Sequence, residues 1–158
     1  MGIEIERKFL LRDASWRSAV QRCVLLRQGY LAASEAVSIR IRVAGEQAHL
    51  NIKSATLGIT RSEFEYAVPP VDAERMLATL CGTRTLAKTR HYLLHAGHTW
   101  EIDEFWDANA GLVVAELELD GEDEIFQKPS WLGAEVSHDP RYYNSCLVTH
   151  PFRDWALD

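Results

Sequence analysis

The stretch Ile3–Leu11 reads IEIERKFLL and alternates with period two. Glu4, Glu6 and Lys8 fall on one face of a strand, and Ile3, Ile5, Phe9 and Leu11 on the other. The same spacing recurs along the chain. Ser38, Arg40 and Arg42 oppose Ile39, Ile41 and Val43; Asn51 and Lys53 oppose Leu50 and Ile52; Arg61, Glu63 and Glu65 oppose Phe64, Tyr66 and Val68. Lys88 and Arg90 share a face, as do Glu101 and Asp103, and Glu116 and Glu118 oppose Ala115, Leu117 and Leu119.

These alternations predict strands over Ile3–Leu11, Val24–Ala33, Val37–Val43, Ala48–Ser54, Ile59–Val68, Thr85–His95, Thr99–Trp106 and Leu112–Leu119. Gly45-Glu46 and Gly97-His98 fall where hairpin turns belong, and short connections imply antiparallel pairing. Eight such strands predict an α+β domain built on a closed eight-stranded antiparallel β-barrel, since closure removes exposed edges. The whole chain, residues 1–158, reads as one domain. Pro69-Pro70 ends one element, and VDAERMLATL after it has the apolar spacing of a ten-residue amphipathic helix. A shorter helix is expected around Ser15 to Gln21, capped by Ser15 or Asp13, and a helix start at the acidic run Asp120–Glu124.

A polar face on a single strand would ordinarily be a solvated surface. Here the signs are sorted by strand: RxR and KxR on some, ExE and ExD on others. A solvated face mixes signs, because like charges on neighbouring strands repel. If the apolar faces pack outward on helices and loops, the charged faces line a lumen. Unpaired charge costs several kcal/mol per ion to desolvate, so such a lumen needs a ligand or much water. The basic set is Lys8, Arg40, Arg42, Lys53, Arg61, Lys88 and Arg90, seven of the 17 Lys and Arg. It suits a compact polyanion, Arg as a fork on phosphate oxygens and Lys as a point charge. The carboxylates Glu4, Glu6, Glu63, Glu65, Glu101, Asp103, Glu116 and Glu118 would repel that anion unless a divalent cation stands between. Hard oxygen donors of this kind select Mg²⁺ or Mn²⁺ rather than zinc.

The totals alone point elsewhere. The 158 residues carry 17 basic against 23 acidic side chains, a formal charge of −6. That balance argues against a nucleic-acid binder, and by itself against any polyanionic ligand; the sorting by strand face reverses the second conclusion. No stretch approaches the roughly 20 apolar residues of a membrane span, and charge at Glu4 leaves no room for a signal-peptide core. Cys23, Cys81 and Cys146 are odd in number and scattered, which suits a reducing cytoplasm, and neither they nor the six His form a zinc pattern.

EIERK at Glu4–Lys8 resembles the ExExK signature of the CYTH domain, the triphosphate tunnel metalloenzymes. QGYL at 28–31, RIR at 40–42, NIK at 51–53, RSEFEY at 61–66, KTR at 88–90, EIDEF at 101–105, AELEL at 115–119 and the ending WLGAEVSHDPRYYNSCL at 131–147 follow in family order. The resemblance spans essentially the whole chain. It implies a β-tunnel that binds a small-molecule triphosphate with Mg²⁺ or Mn²⁺, two ions being expected. Lys8, Arg40, Arg42, Lys53, Lys88 and Arg90 would hold phosphates, with Arg61 beside or behind them. Glu4, Glu6, Glu63, Asp103, Glu116 and Glu118 would be the metal ligands, and Lys8, Glu6 and Tyr30 the catalytic group. Glu101 has pairing with a basic neighbour as its alternative, and Tyr30 simple packing. Trp131, Phe152 and Trp155 read as packing residues, and His138 with Tyr142-Tyr143 as a surface loop, with closure of one tunnel mouth as the alternative. The activity implied is hydrolysis of inorganic triphosphate to pyrophosphate and phosphate. Open alternatives are a class IV type adenylate cyclase, hydrolysis of thiamine or nucleoside triphosphates, and a non-enzymatic polyphosphate-binding module. No nucleic-acid or membrane partner is expected; a homodimer is compatible with the pattern.

Overall fold

The computed structural model describes residues 2–157, with only the backbone of Leu157. Nine strands follow in chain order: β1 (Gly2–Leu11), β2 (Arg22–Ala33), β3 (Val37–Ala44), β4 (Gln47–Ser54), β5 (Thr60–Ala67), β6 (Thr85–His95), β7 (His98–Phe105), β8 (Val113–Leu119) and β9 (Leu132–Glu135). They form one antiparallel sheet ordered β5-β4-β3-β2-β6-β7-β8-β1-β9, and β5 also pairs with β1. That pairing closes eight strands into a barrel. On one edge of β1, residues Gly2–Ile5 pair with β5, and β9 takes over at Phe9 and Leu11 beyond an irregularity in register. The other edge pairs with β8 over Ile5–Leu10.

All eight expected strands form, each within two residues of the alternating runs that announced them. β9 was not expected: four residues, LGAE, are too short to display an alternation. The β6–β7 loop lies one residue earlier than Gly97-His98. His95 pairs with His98, and Ala96 and Gly97 both take positive φ, 48° and 84°, as a two-residue type I′ turn requires. Ala pays for that conformation with about 1 kcal/mol of strain, which Asn largely avoids. Ala96→Asn is therefore expected to raise stability by about 1 kcal/mol and the thermal midpoint by about 2–4 °C. A midpoint unchanged or lowered in calorimetry would show that the turn carries no strain.

α1 (Pro70–Thr79) starts with Pro70 in its first turn, where the missing N–H costs nothing. It lays Ala73, Met76 and Leu77 over Ile41, Val43, Ala48 and Cys81 on the outside of the barrel. Gly29 in β2 lies directly beneath, where a Cβ would stand 2.7 Å from Cys81 Sγ, so only glycine lets the strand pass. The expected helix near Ser15 is a 3-10 turn, Ser15–Ala19, headed by Ala14 rather than by Ser15 or Asp13. Asp13 instead accepts the Ser15 backbone N–H at 2.9 Å. Asp120–Glu124 is no helix: Glu124 Oε2 takes the Asp120 N–H at 2.8 Å and Glu124 N bonds Gly121 O at 3.1 Å, one closed polar turn.

Outward side chains of β1, β6, β7 and β8 pack as Phe9, Leu93, Trp100, Ile102, Ala115 and Leu117 against Trp16, Trp131 and Leu132. Inward rows change character along the barrel. Leu86, Phe105 and Val114 share strand parity with Lys88, Asp103 and Glu116, yet are apolar. They pack on Leu147 of α2 (Asn144–Leu147), with Tyr142, Phe152 and Trp155 around it. Trp131, Phe152 and Trp155 are thus packing residues, as expected, and the C-terminal segment packs on the inward apolar side chains of the barrel.

Candidate active site

The charged faces point inward. A lumen cavity of about 150 Å³ is lined by Glu4, Glu6 and Lys8 of β1; Tyr30 of β2; Ser38, Arg40 and Arg42 of β3; Lys53 of β4; and Arg61, Glu63 and Glu65 of β5. Lys88 and Arg90 of β6, Glu101 of β7, and Glu116 and Glu118 of β8 complete the strand contribution. One water needs only about 10–15 Å³, so the space admits a polyatomic ligand. Every residue expected at the site lines this cavity except Asp103. That carboxylate is fully buried behind the lining, and its oxygens accept Lys88 Nζ at 2.6 Å and Arg90 Nε and Nη2 at 2.8 and 2.9 Å. Expected as a metal ligand, Asp103 is here the counter-ion of two phosphate-binding candidates.

Cross-strand register decides which charges meet. Lys8 sits opposite Glu116, and its ammonium lies 3.1 Å from Glu116 Oε1. Lys53 sits opposite Glu63 and bonds it at 2.9 Å while reaching Glu4 at 3.1 Å. Arg90 sits opposite Asp103 and also meets Glu101 and Glu116, so Glu101 takes the pairing alternative. Arg61 lies 3.8 Å from Glu4 and over the Tyr143 ring. Asn51 donates to Glu65 at 2.7 Å. Arg40 and Arg42 differ from the rest. Neither forms an ion pair among the described residues; Arg40 Nε is buried without a hydrogen bond, and Arg42 Nε donates to the neutral Gln28 Oε1 at 3.0 Å.

Burial works against the charged forms of Glu6, Glu116, Asp103, Lys88, Arg42 and Glu118, and neighbours overcome it only at Glu116 and Asp103. It pushes Glu6 well above the usual carboxylate range, with Glu116 and Glu4 adding to the rise. Burial would also raise Glu116, but Lys8, Arg90 and Lys88 hold it well below the usual value. Asp103 is likewise lowered against its burial, by Arg90 and Lys88. Burial brings Lys88 down to about 7 although Asp103 opposes it, and brings Arg42 down to about 10 with Arg40 and Arg90 adding to the fall. Glu118 is raised by burial and then by Glu4, Glu101 and Glu63.

The donor set suits a hard cation. The lining holds carboxylate, hydroxyl and amide oxygens and neither Cys nor His. The Glu6 and Glu116 carboxylates lie within hydrogen-bonding reach of each other, as do Glu4 and Glu63. Like charges that close call for a proton or a cation between them. Among the described residues no three carboxylate, imidazole or thiol side chains stand together as a finished cage, so a cation must compete with Lys8 and Lys53 for these oxygens.

Sequence reasoning missed Gln28, Asn144 and Ser145 as functional residues and held Tyr143 at a tunnel mouth only as an alternative; Tyr143, Asn144 and Ser145 all line the lumen. Tyr143, read as surface loop, faces the cavity and donates its hydroxyl to Ser137 O at 2.8 Å, while Tyr142 packs on Trp155. Gln28 shares the parity of Tyr30 in β2, which was the available signal. Nothing periodic marks residues 143–145.

A closed antiparallel barrel with sorted acidic and basic inner faces is a tunnel built for a polyanion and a cation together. The CYTH domain family model matches residues 2–143, and the chain belongs to that family. An inorganic triphosphatase of Acetivibrio thermocellus is 42% identical over 155 residues, covering 98% of this chain and 99% of the relative. One from Nitrosomonas europaea is 34% identical, covering 92% and 96%. A crystal structure of an inorganic triphosphatase superposes with a TM-score of 0.67 at 32% identity, covering 92% of this chain and 93% of that one. Among the described residues, no helix is long and apolar enough to cross a membrane.

Proposed function

We propose that this protein hydrolyses inorganic triphosphate to pyrophosphate and phosphate in a divalent-metal-dependent reaction inside the lumen. The observation that carries this is the pair Arg40 and Arg42. Both face the lumen from one strand, and neither has a carboxylate partner among the described residues. Two lumen-facing guanidinium groups with no ion pair among the described residues favour an anion with several oxygens. The relatives called inorganic triphosphatase, matched over nearly their full length, support this choice among triphosphates.

Arg40 and Arg42 grip phosphate oxygens, with Lys53, Arg61, Lys88 and Arg90 completing the basic wall. Glu4, Glu6, Glu63, Glu116 and Glu118 are the groups to hold Mg²⁺ or Mn²⁺, two ions in this reading. A bound divalent ion offsets phosphate charge and lowers the pKa of a water. Water oxygen attacks the terminal phosphorus in line and releases a proton to solvent, the phosphoanhydride P–O bond breaks, and pyrophosphate leaves with the electron pair. Lys8 and Tyr30 face the same space and steady the phosphoryl group in transfer; no covalent nucleophile is needed. A reducing cytoplasm suits the free thiols of Cys23, Cys81 and Cys146.

The test is to incubate the pure protein with triphosphate, ATP and thiamine triphosphate, each with Mg²⁺ or Mn²⁺. Phosphate, pyrophosphate and cyclic AMP are then measured. Triphosphate is expected to turn over fastest, and only with metal. Cyclic AMP as the main product from ATP would replace this reading with a cyclase. Tight triphosphate binding without turnover of any substrate would leave a binding module.

A further inference from the structure

Two neutral amides join the basic wall of the lumen to the C-terminal segment. Arg42 Nε donates to Gln28 Oε1 at 3.0 Å, Gln28 Nε2 donates to Asn144 Oδ1 at 3.2 Å, and Lys88 Nζ donates to that same oxygen at 2.9 Å. Gln28 and Lys88 are almost wholly buried, at 0% and 1% exposure. Arginine and lysine only donate, so both amide orientations are forced: Gln28 must turn its oxygen to Arg42, and Asn144 must turn its oxygen to Lys88. The result is a single polarised chain from β3 through β2 and α2 to β6.

The chemical type of the bridge matters as much as its geometry. A carboxylate at either position would satisfy the same donors and cancel their charge, as Asp103 does for Lys88 and Arg90. An amide satisfies the donors without adding negative charge, so Arg42, which forms no ion pair among the described residues, keeps its charge for a ligand. Asn144 reaches Lys88 because its neighbours are anchored. Leu147 is fully buried in the apolar plug, and Tyr143 is held by Ser137 O.

We infer that Gln28 and Asn144 are positioning residues for the phosphate site: an uncharged bridge that aims Arg42 at the substrate without neutralising it, and that adds no negative charge to Lys88 beyond that of Asp103. This rests on the triphosphate reading above. Asn144 comes from outside the barrel strands, so the C-terminal segment also sets the basic wall.

Asn144→Asp and Gln28→Glu test it, because each keeps size and acceptor oxygen and adds charge; Gln28→Glu also removes the Nε2 donor to Asn144, so Asn144→Asp is the cleaner of the two. Binding of inorganic triphosphate in Mg²⁺ is measured by calorimetry, beside steady-state kinetics and thermal melting. Each variant is expected to weaken Kd and raise KM by about tenfold or more, because a negative charge within a few ångströms of Lys88 or Arg42 offsets the charge that the phosphate meets. kcat should change by less than about threefold, since the lost interaction is with the ground state as well as the transition state. A lowered melting temperature with Kd and KM within about twofold of the parent would mark a purely structural role and overturn the inference. Parent protein that binds triphosphate without turnover would remove the hydrolysis reading, while the Kd comparison would still decide the role of the bridge.

Discussion

Glu6→Gln is expected to lower turnover of triphosphate by about three orders of magnitude and to leave the barrel folded. Glu6 stands in the middle of β1, paired across the sheet with Glu118 and lying against Glu116. It is the carboxylate that its surroundings tolerate least as a lone anion: burial, Glu116 and Glu4 all push it well above its ordinary range. A cation offsets that crowding, and a cation held there is what the proposed reaction needs. Glutamine keeps the volume and one oxygen but brings no charge, so packing survives while cation affinity falls. Loss of one preorganised electrostatic contact to a transition state costs about 10²–10³ in rate, and a weakened metal adds to it. The check is kcat against Mn²⁺ concentration, with melting curves with and without metal. The parent should melt higher when Mg²⁺ or Mn²⁺ is added, and Glu6→Gln should gain less. A variant with parental turnover would remove Glu6 from the metal site.

The second large effect is on stability. Asp103→Ala is expected to cost about 3–5 kcal/mol, the usual result of removing one partner from a buried ion pair. Asp103 has no exposure and holds Lys88 and Arg90 together through three hydrogen bonds. Without it, two like charges face each other inside the barrel wall, with Glu101 and Glu116, the latter 3.4 Å from Arg90, as the remaining anions. For a chain of this length the loss corresponds to a fall in thermal midpoint of about 6–20 °C. Urea unfolding should show a lower midpoint at an unchanged slope, the mark of altered stability rather than altered compactness. A loss under about 1 kcal/mol would mean that Lys88 and Arg90 find other partners or water, and that Asp103 is free to serve the metal. The opposite result for Asn144→Asp, charge added with little change in stability, separates the two sides of Lys88.

The inward direction of nearly every site residue was legible because a strand has a strict two-residue period. Once Ile3, Ile5 and Phe9 are assigned to the outside, Glu4, Glu6 and Lys8 have only the lumen left. The same reasoning carried Arg40 and Arg42, Lys88 and Arg90, and Glu116 and Glu118. It failed where period is absent or short. β9 is four residues, Ala96-Gly97 differs from Gly97-His98 by one step, and Tyr143–Ser145 follow no alternation. Asp120–Glu124 has a helical composition that its own side-chain hydrogen bond defeats.

Parity says which side a side chain faces; it is silent on which charges cancel. The formal −6 is a sum, and a sum has no geometry. Only the closed barrel brings Lys8 to Glu116, Lys53 to Glu4, and Lys88 with Arg90 to Asp103, leaving Arg40 without an ion pair among the described residues and Arg42 with the amide of Gln28. Those pairings follow from strand register and from a C-terminal turn 56 residues away from Lys88. Local residue order carried the strand period and the set of groups inside. Which of them remain charged and available for an anion depends on contacts between distant segments, because electrostatic neutralisation acts over a few ångströms of space and not along the chain.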